Sequence, residues 1–347
     1  MRHQICAGLF FCFLLSIISC ASTMSMLVDV ENPASVTLPV TAQNVIIVNN
    51  ALPQPMGYGV TAPSGKYPEV DSLYAETLRT ASWQVIAETF KYLDNSGFFP
   101  IVSLYKRNLR EDNEWLTIVA VDEEIKKDFF ENEDFDLLIA VNRLLFNSTI
   151  ETTGTELGRM KAMLVFSAYI RDIDKPIVYS LVDSVIAIGP PVYFYNGVPY
   201  IGSEEISTEM IRQISTNLGE RLGKFFVPSW QTVERKYFIR SISDINRMNN
   251  TINNGKWIEA QRIWTGEFEL EEKAVNQARL ANNIALASEM NGEFYAAEEW
   301  ATKAKMFFQE VSSKKYSAEI KYLEEYIKEL QERQKNNILL DKQHGIS

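Results

Sequence analysis

The chain reads as two folding units in series: a mixed α/β (α+β) domain whose sheet carries a long antiparallel hairpin, then an all-α helical-repeat domain. Three observations predict this. Between Asn44 and Val141 short apolar runs alternate with an amphipathic helical pattern, the arrangement of strands joined by helical crossovers. Residues 160–171 alternate apolar and polar side chains, and residues 177–188 return after a turn at 172–176, as the two arms of a hairpin do. Beyond Pro228 the chain repeats itself at an offset of 37 residues, the signature of stacked helical hairpins. A length of 347 residues suits roughly two domains, each able to bury its own core.

Taken in order, Asn44 to Val48 is a short apolar run of the kind that forms a buried strand, closed by Asn49 and Asn50. Residues 52–68 hold Pro53, Pro55, Pro63 and Pro68 with Gly57, Gly59 and Gly65, which break both helix and ladder patterns and predict a loop. Tyr74, Leu78, Ala81, Val85, Ile86, Phe90 and Leu93 then recur at helical spacing, and Asn95, Ser96 and Gly97 supply the stop. Phe98 to Leu104 and Asp136 to Val141 read as strands flanking an acidic stretch, 122–134, with a short solvated helix. After the hairpin, residues 189–202 form an aromatic loop with Tyr193, Tyr195 and Tyr200 around the Asn196-Gly197 turn dipeptide. Ile206, Met210, Ile214, Leu218, Leu222 and Phe225 stripe a second helix that would pack back on the sheet. The mixed α/β domain is thus expected over 41–227. A wholly helical domain is expected over 228–347.

In the helical part Asn254, Gly255, Lys256, Trp257 and Ala260 correspond to Asn291, Gly292, Glu293, Phe294 and Ala297, while Asn246 corresponds to Asn283. Glycine permits a tight interhelix turn and alanine lets helices approach closely. These residues resemble the tetratricopeptide repeat, with a good match over 277–304 and a looser one over 241–267. Residues 312–335, with Tyr316, Ile320, Leu323, Ile327 and Leu330 at helical spacing, look like a capping helix. The resemblance implies a groove for a protein partner, with Asn246, Asn249, Arg279, Asn282, Asn283 and Leu286 as the ligand-facing positions.

All three cysteines, Cys6, Cys12 and Cys20, lie in the first twenty residues. Arg2 gives a short positive region, and an apolar run from Ala7 to Ser19 is too short to span a bilayer comfortably. Ile17, Ile18, Ser19 and Cys20 resemble the lipobox of a bacterial lipoprotein signal peptide, which implies removal of residues 1–19 and lipidation of Cys20. Ala21 follows the cysteine, and by resemblance to known sorting rules this favours the periplasmic face of the outer membrane. Residues 20–40 read as a polar tether. With the other cysteines removed, no disulfide could form in the mature chain, and its stability would rest on packing.

The chain carries 34 Lys and Arg against 45 Asp and Glu, a formal charge of −11 that loss of Arg2 would take to about −12. No basic stripe interrupts this acidity, so a phosphate backbone is not an expected partner. Past the signal, no run approaches the ~18 apolar residues a membrane helix needs. The mature chain would keep one histidine, His344, which disfavours serine, cysteine and zinc chemistry built on imidazole. No cofactor is expected. Residues 59–67 fail as a phosphate loop because Tyr67 stands where Ser or Thr would hold magnesium. Glu123, Glu124, Glu131, Glu133 and Asp134 lack the alternating spacing of a calcium loop and read as a solvated face.

The order from lipobox through α/β domain to short repeat domain resembles the tetratricopeptide-repeat-containing lipoproteins of Bacteroidota. The N-terminal half is also similar to the soluble α/β domains of the envelope proteins CsgG and TolB, without their pore-forming segments or propeller. A non-enzymatic, lipid-anchored protein that docks another envelope protein is the first expectation. Two alternatives stay open: a homo-oligomeric envelope or secretion assembly component built from the α/β domain, and an envelope glycan hydrolase using carboxylates near the aromatic loop 189–202.

Overall fold

A computed structural model describes residues 23–60, 68–153, 156–188, 193–195, 198–200, 203–239 and 245–345. The strands are β1 (Thr23–Asn32), β2 (Asn44–Asn49), β3 (Ile101–Asn108), β4 (Leu137–Thr153), β5 (Glu156–Ile170), β6 (Ile177–Ile188), β7 (Tyr193–Tyr195), β8 (Val198–Tyr200) and β9 (Ser229–Phe238). The helices are α1 (Pro68–Ser96), α2 (Glu123–Lys127), α3 (Ser203–Phe226), α4 (Ile245–Asn253), α5 (Trp257–Leu270), α6 (Ala274–Met290), α7 (Phe294–Ser312) and α8 (Ser317–Gln343). The N-terminal part is a mixed α/β sheet domain and the C-terminal part is helical, as the sequence predicts. The chain divides into two compact units, Pro33–Ser229 with Lys342–Ser347 and Met1–Asn32 with Trp230–Asp341, called here the sheet unit and the helical unit.

In the sheet unit a five-stranded sheet runs in the order β3-β2-β4-β5-β6. β2 is parallel to both β3 and β4, and β4, β5 and β6 are antiparallel neighbours, so the predicted crossovers and hairpin coexist in one sheet. β4 extends well beyond the expected Val141, because Leu144 and Phe146 continue the buried face after a bulge between Val141 and Arg143. α1 begins with Pro68, whose missing N–H is no loss in a first turn, and Gly97, at φ 63°, follows its last residue. Its buried stripe of Tyr74, Leu78, Ala81, Val85, Ile86 and Leu93 joins one core with α3 and the inner sheet face. α1 and α3 meet at glycine. A Cβ added to Gly219 would lie 2.6 Å from the Val85 carbonyl oxygen and 2.7 Å from Glu88 Cβ. Thr89 Oγ1 takes advantage of the approach, donating to Val85 O at 2.8 Å and to Gly219 O at 3.1 Å. On the other sheet face, α2 and the π-helical turn Asp128–Asn132 tuck Phe129 against Ile46, Val48, Leu138 and Tyr169. The acidic stretch is therefore a solvated face with an apolar anchor.

Two expectations are corrected. Part of the predicted tether is strand: Thr23–Asn32 pairs with β9, with Val28 and Val30 buried. Beyond it, Ala34 is buried and its N–H donates to Gln343 Oε1 at 2.9 Å. The run MSMLVDV alternates too weakly in polarity to announce a strand, and its partner lies some 200 residues away. Nor is the chain wholly helical after Pro228, since β9 comes first. The side chains of β1 and β9 meet at Asn32 with Gln231 (3.2 Å), Asp29 with Thr232 (2.6 Å) and Met24 with Tyr237 (3.4 Å). Contacts thus advance along one strand as they retreat along the other.

In the helical unit, α4 and α5 are joined through Gly255 (φ 66°), and α6 and α7 through Gly292 (φ 77°). The two glycines matched by the 37-residue offset thus share a left-handed conformation that a side chain would strain. Ala260 and Ala297, the matched alanines, are both fully buried. Among the described residues no helix is long and apolar enough to cross a membrane.

Candidate functional site

Three of the positions that repeat resemblance assigns to a partner, Asn282, Asn283 and Leu286, are packed against the chain itself. Asn283, fully buried on α6, clasps one residue of β9: the Phe238 N–H donates to its Oδ1 at 2.7 Å, and its Nδ2 donates to the Phe238 carbonyl at 2.7 Å. Asn282 Nδ2 donates to the Lys236 carbonyl at 2.9 Å. Leu286 is buried in a cluster with Tyr237, Trp257 and Trp264. Asn249 Oδ1 accepts from the Tyr237 hydroxyl at 3.4 Å, and half-buried Arg279 donates to Asn276 Oδ1 at 3.2 Å. Asn246 lies on α4 with its side chain outside the described residues. The correction has a simple cause: an asparagine amide offers one donor and one acceptor side, which match a strand residue's C=O and N–H, and β9 is covalently at hand. Asn282, Asn283 and Leu286 are therefore core residues.

Of the other singled-out residues, Cys20 lies outside the described residues, as do the side chains of Tyr193, Tyr195 and Tyr200. The backbones of those tyrosines form the small β7-β8 hairpin, with Tyr193 opposite Tyr200 and Tyr195 opposite Val198. Residues 61–67, most of the stretch compared with a phosphate loop, are likewise outside.

A feature that sequence reading missed sits at the C-terminal end of α6. Glu289 is fully buried there, held by Arg235 of β9 through two bonds of 2.9 and 3.0 Å and by the Tyr326 hydroxyl at 2.7 Å. Arg333 of α8 also bonds it. Arg235 reaches Glu329 at 2.7 Å as well, and its guanidinium lies 4.9 Å from the Tyr326 ring centre. Burial alone would raise the Glu289 carboxyl, but bonds from Arg235 and Tyr326 and the nearby positive charges hold it below its ordinary value. Burial and the Glu289 charge push the Tyr326 phenol well up, and burial takes Tyr322 to about 12. The cluster is thus a charged, saturated tie between β9, α6 and α8, suited to fixing side chains rather than to exchanging a proton near neutrality.

What it fixes is Arg333, which lines a groove. Arg333 lies 4.5 Å from the centre of the Phe294 ring, the first residue of α7. On one side is a cavity of about 290 Å³ whose lining includes Asp29, Glu31, Trp230, Phe294, Arg333 and Leu340. On the other is one of about 370 Å³ lined by Phe294, Tyr295, Gln334, Asn337 and Ile338. The two share Gly292, Phe294 and Asn337, so they form one continuous depression within the helical unit. Trp230 and Tyr295 are each 69% exposed, and Ile338 is 54% exposed.

Two family models match the chain. Residues 42–238 match the family described as a domain of unknown function, DUF8603. The chain belongs to that family. Its match ends on the last residue of β9, whereas the compact division already groups β9 with the helices. Residues 246–332 match a second family model, described as a domain of unknown function, DUF6340, which takes in Glu289 but stops one residue short of Arg333. No curated protein matches the chain.

Proposed function

We propose that this is a non-enzymatic envelope protein, anchored by lipid on Cys20 at the periplasmic face of the outer membrane, whose tetratricopeptide-like helical unit docks another envelope protein. The observation that carries the reading is the groove beside Arg333. Its occupant is an extended segment of the partner chain: Trp230 and Tyr295 are large, stiff anchors, Asn336 and Asn337 supply backbone-bonding amides, and a guanidinium sits between. Exposed aromatic side chains beside a half-buried arginine around a preformed cavity are the composition of interface hot spots. This moves the docking surface from the interior face of α6, filled by β9, to the outer junction of α7 and α8.

The lipid reading has a geometric consequence. β1 starts at Thr23, three residues after Cys20, and an extended chain spans at most ~3.6 Å per residue. The strand that borders the groove would therefore begin within about 11 Å of the anchor. A photo-crosslinking residue placed at Tyr295 in intact envelopes should trap one discrete partner band, and Trp230→Ala should remove it while the same residue placed at Ile258, an exposed site on α5, traps nothing discrete. Equal trapping at both sites would sink the docking reading. Cys20→Ser should release the folded protein from membranes, and a variant that stays bound after high-salt washing would refute the anchor.

A further inference from the structure

The groove above is not the only place where the fold gathers unmet chemistry. In the sheet unit, β2 lies between β3 and β4, and all three run parallel. The chain leaves β2 toward β3 through α1, while the strand on the other side of β2 is β4. In open parallel sheets the crevice outside the carboxyl ends, at such a divergence, is where ligands bind.

At that edge the polar groups are arranged with unusual completeness, save one. Asn49 Nδ2 donates to Ser82 Oγ at 3.2 Å and to Asn108 Oδ1 at 2.9 Å. Asn50 Nδ2 donates to the Val119 carbonyl at 2.7 Å and to Asn142 Oδ1 at 2.9 Å, and Asn142 Nδ2 donates to Ser167 Oγ at 2.7 Å. Arg110, buried, binds Asp112 through two bonds of 2.8 and 2.7 Å and takes the carbonyls of Thr117 and Glu114, which shapes the loop after β3. Arg143, on β4 next to Asn142, is the exception. Its Nη2 has a weak 3.4 Å contact to the Trp115 carbonyl, its buried Nε has no partner, and no acid pairs with it among the described residues. Burial first, and the neighbouring Arg110 charge second, hold its pKa below the ordinary arginine value. A partly desolvated cation facing a second cation is unfavourable until an anion joins it. Beside it Trp115 meets Tyr58 with ring centres 5.4 Å apart, and Tyr58 is 58% exposed, so an aromatic wall adjoins the charge.

We propose that this corner of the sheet unit binds the oxyanion of a small ligand, a phosphate or a carboxylate, on the Arg143 guanidinium, with Tyr58 and Trp115 flanking the ligand's remainder. The buried asparagines hold the strand ends in register and Arg110 holds the loop, so the site is formed before the ligand arrives.

Thermal melting of the full-length chain tests this with inorganic phosphate, phenyl phosphate and acetate, each against sodium chloride at matched ionic strength. At about ten times the dissociation constant, the sheet unit should gain about 3–5 °C over chloride. Arg143→Gln should abolish that gain, and in chloride it should melt no lower than the parent, because it removes an unpaired cation. A larger gain with phenyl phosphate than with phosphate identifies an aromatic ligand against Tyr58 and Trp115, and equal gains identify the free ion. As a second readout, phosphate should shift the Trp115 indole N–H resonance, assigned by its loss in Trp115→Phe, and leave that of Trp264 in place. The proposal is overturned by a gain that persists in Arg143→Gln, by no gain with any of the three anions, by an Arg143→Gln chain that melts lower or does not fold in chloride, or by an unmoved Trp115 resonance.

Discussion

The helical unit and the sheet unit each draw an arginine out of water, Arg235 fully and Arg143 in part, and they treat it in opposite ways. In the helical unit Arg235 is enclosed by Glu289, Glu329 and the Tyr326 ring, and Glu289 in turn is closed by Arg333 and the Tyr326 hydroxyl. In the sheet unit a chain of amide bonds runs through Asn142, the neighbour of Arg143, yet Arg143 itself bonds only the Trp115 carbonyl and no carboxylate reaches it among the described residues. A saturated ion cluster is architecture, because its strength depends on partners already present. A half-satisfied cation at a sheet's carboxyl edge is a place where something else can be gained. The same residue type therefore marks a joint in one unit and a binding corner in the other.

The comparison breaks most sharply at Glu289. Glu289→Ala leaves Arg235 buried without its main counter-charge, and the loss from breaking one side of a buried pair is about 3–5 kcal/mol. Urea unfolding followed by circular dichroism should show the helical transition moving to much lower denaturant with the sheet transition in place. A loss under about 1 kcal/mol would mean that the cluster is not a joint. The acid limb follows from linkage. Glu289 has a folded pKa below its unfolded value near 4.5, so its stabilisation is complete above that pH and is lost as pH falls through the folded pKa. Glu289→Gln should flatten this limb. The alkaline limb has the opposite sign: Tyr322 is raised from 10 to about 12, so its contribution is intact below pH 10 and is lost between 10 and 12.

How much of this could be read from the sequence differs between the units for the same physical reason. The stripe on α1, the β5-β6 hairpin, the mixed sheet and the run of helices were all legible, because each is a local periodicity of apolar residues. The boundary near Pro228 was legible too, through composition. What stayed hidden depends on pairings across the chain. β1 and β9 are one sheet of two distant strands, and the inward side of β9 includes Arg235, which reads as solvent-exposed until Glu289, 54 residues on, is placed against it. The repeat resemblance assigns Asn282 and Asn283 to a partner, and the strand that bonds them instead, β9, cannot be inferred from any local pattern. Asn142 and Arg143 carry no sequence signal at all: they lie at a bulge that only the pairing of β4 with β5 defines.

A middle-sized effect tests packing in the sheet unit, where glycine does what alanine does among the helices. Gly219→Ala would force a methyl to within 2.6 Å of the Val85 carbonyl oxygen, and overpacking of this kind costs about 1–3 kcal/mol. Gly266→Ala, on α5 with nothing within 4 Å of the added Cβ, should instead be neutral or slightly stabilising through helix propensity. The pair of urea midpoints, one lowered and one not, is the expected result. Equal shifts would show that α1 and α3 can separate to admit the methyl at little cost.

The smallest effect on stability has the largest effect on association, and it bears on whether the sheet unit assembles with copies of itself. Among the described residues β6 is an edge strand, with Val178, Val182 and Ile186 exposed, a surface that invites a second strand. The centre of that edge is closed by side chains. Arg221 of α3 donates to the Val182 carbonyl at 2.7 Å, the Ser184 N–H donates to Asp183 Oδ1 at 2.9 Å, and Arg221 and Asp183 lie 3.9 Å apart. These groups satisfy the backbone that an incoming strand would need, so the edge is guarded against pairing rather than prepared for it. Removing an exposed pair of this kind costs under about 1 kcal/mol, so Arg221→Ala should melt close to the parent. Its sedimentation profile should nevertheless gain dimers and larger species with rising concentration, while the parent's does not change. A parent chain that already dimerises, with Arg221→Ala weakening the dimer, would reverse the argument and make the same arginine part of a homo-oligomeric interface.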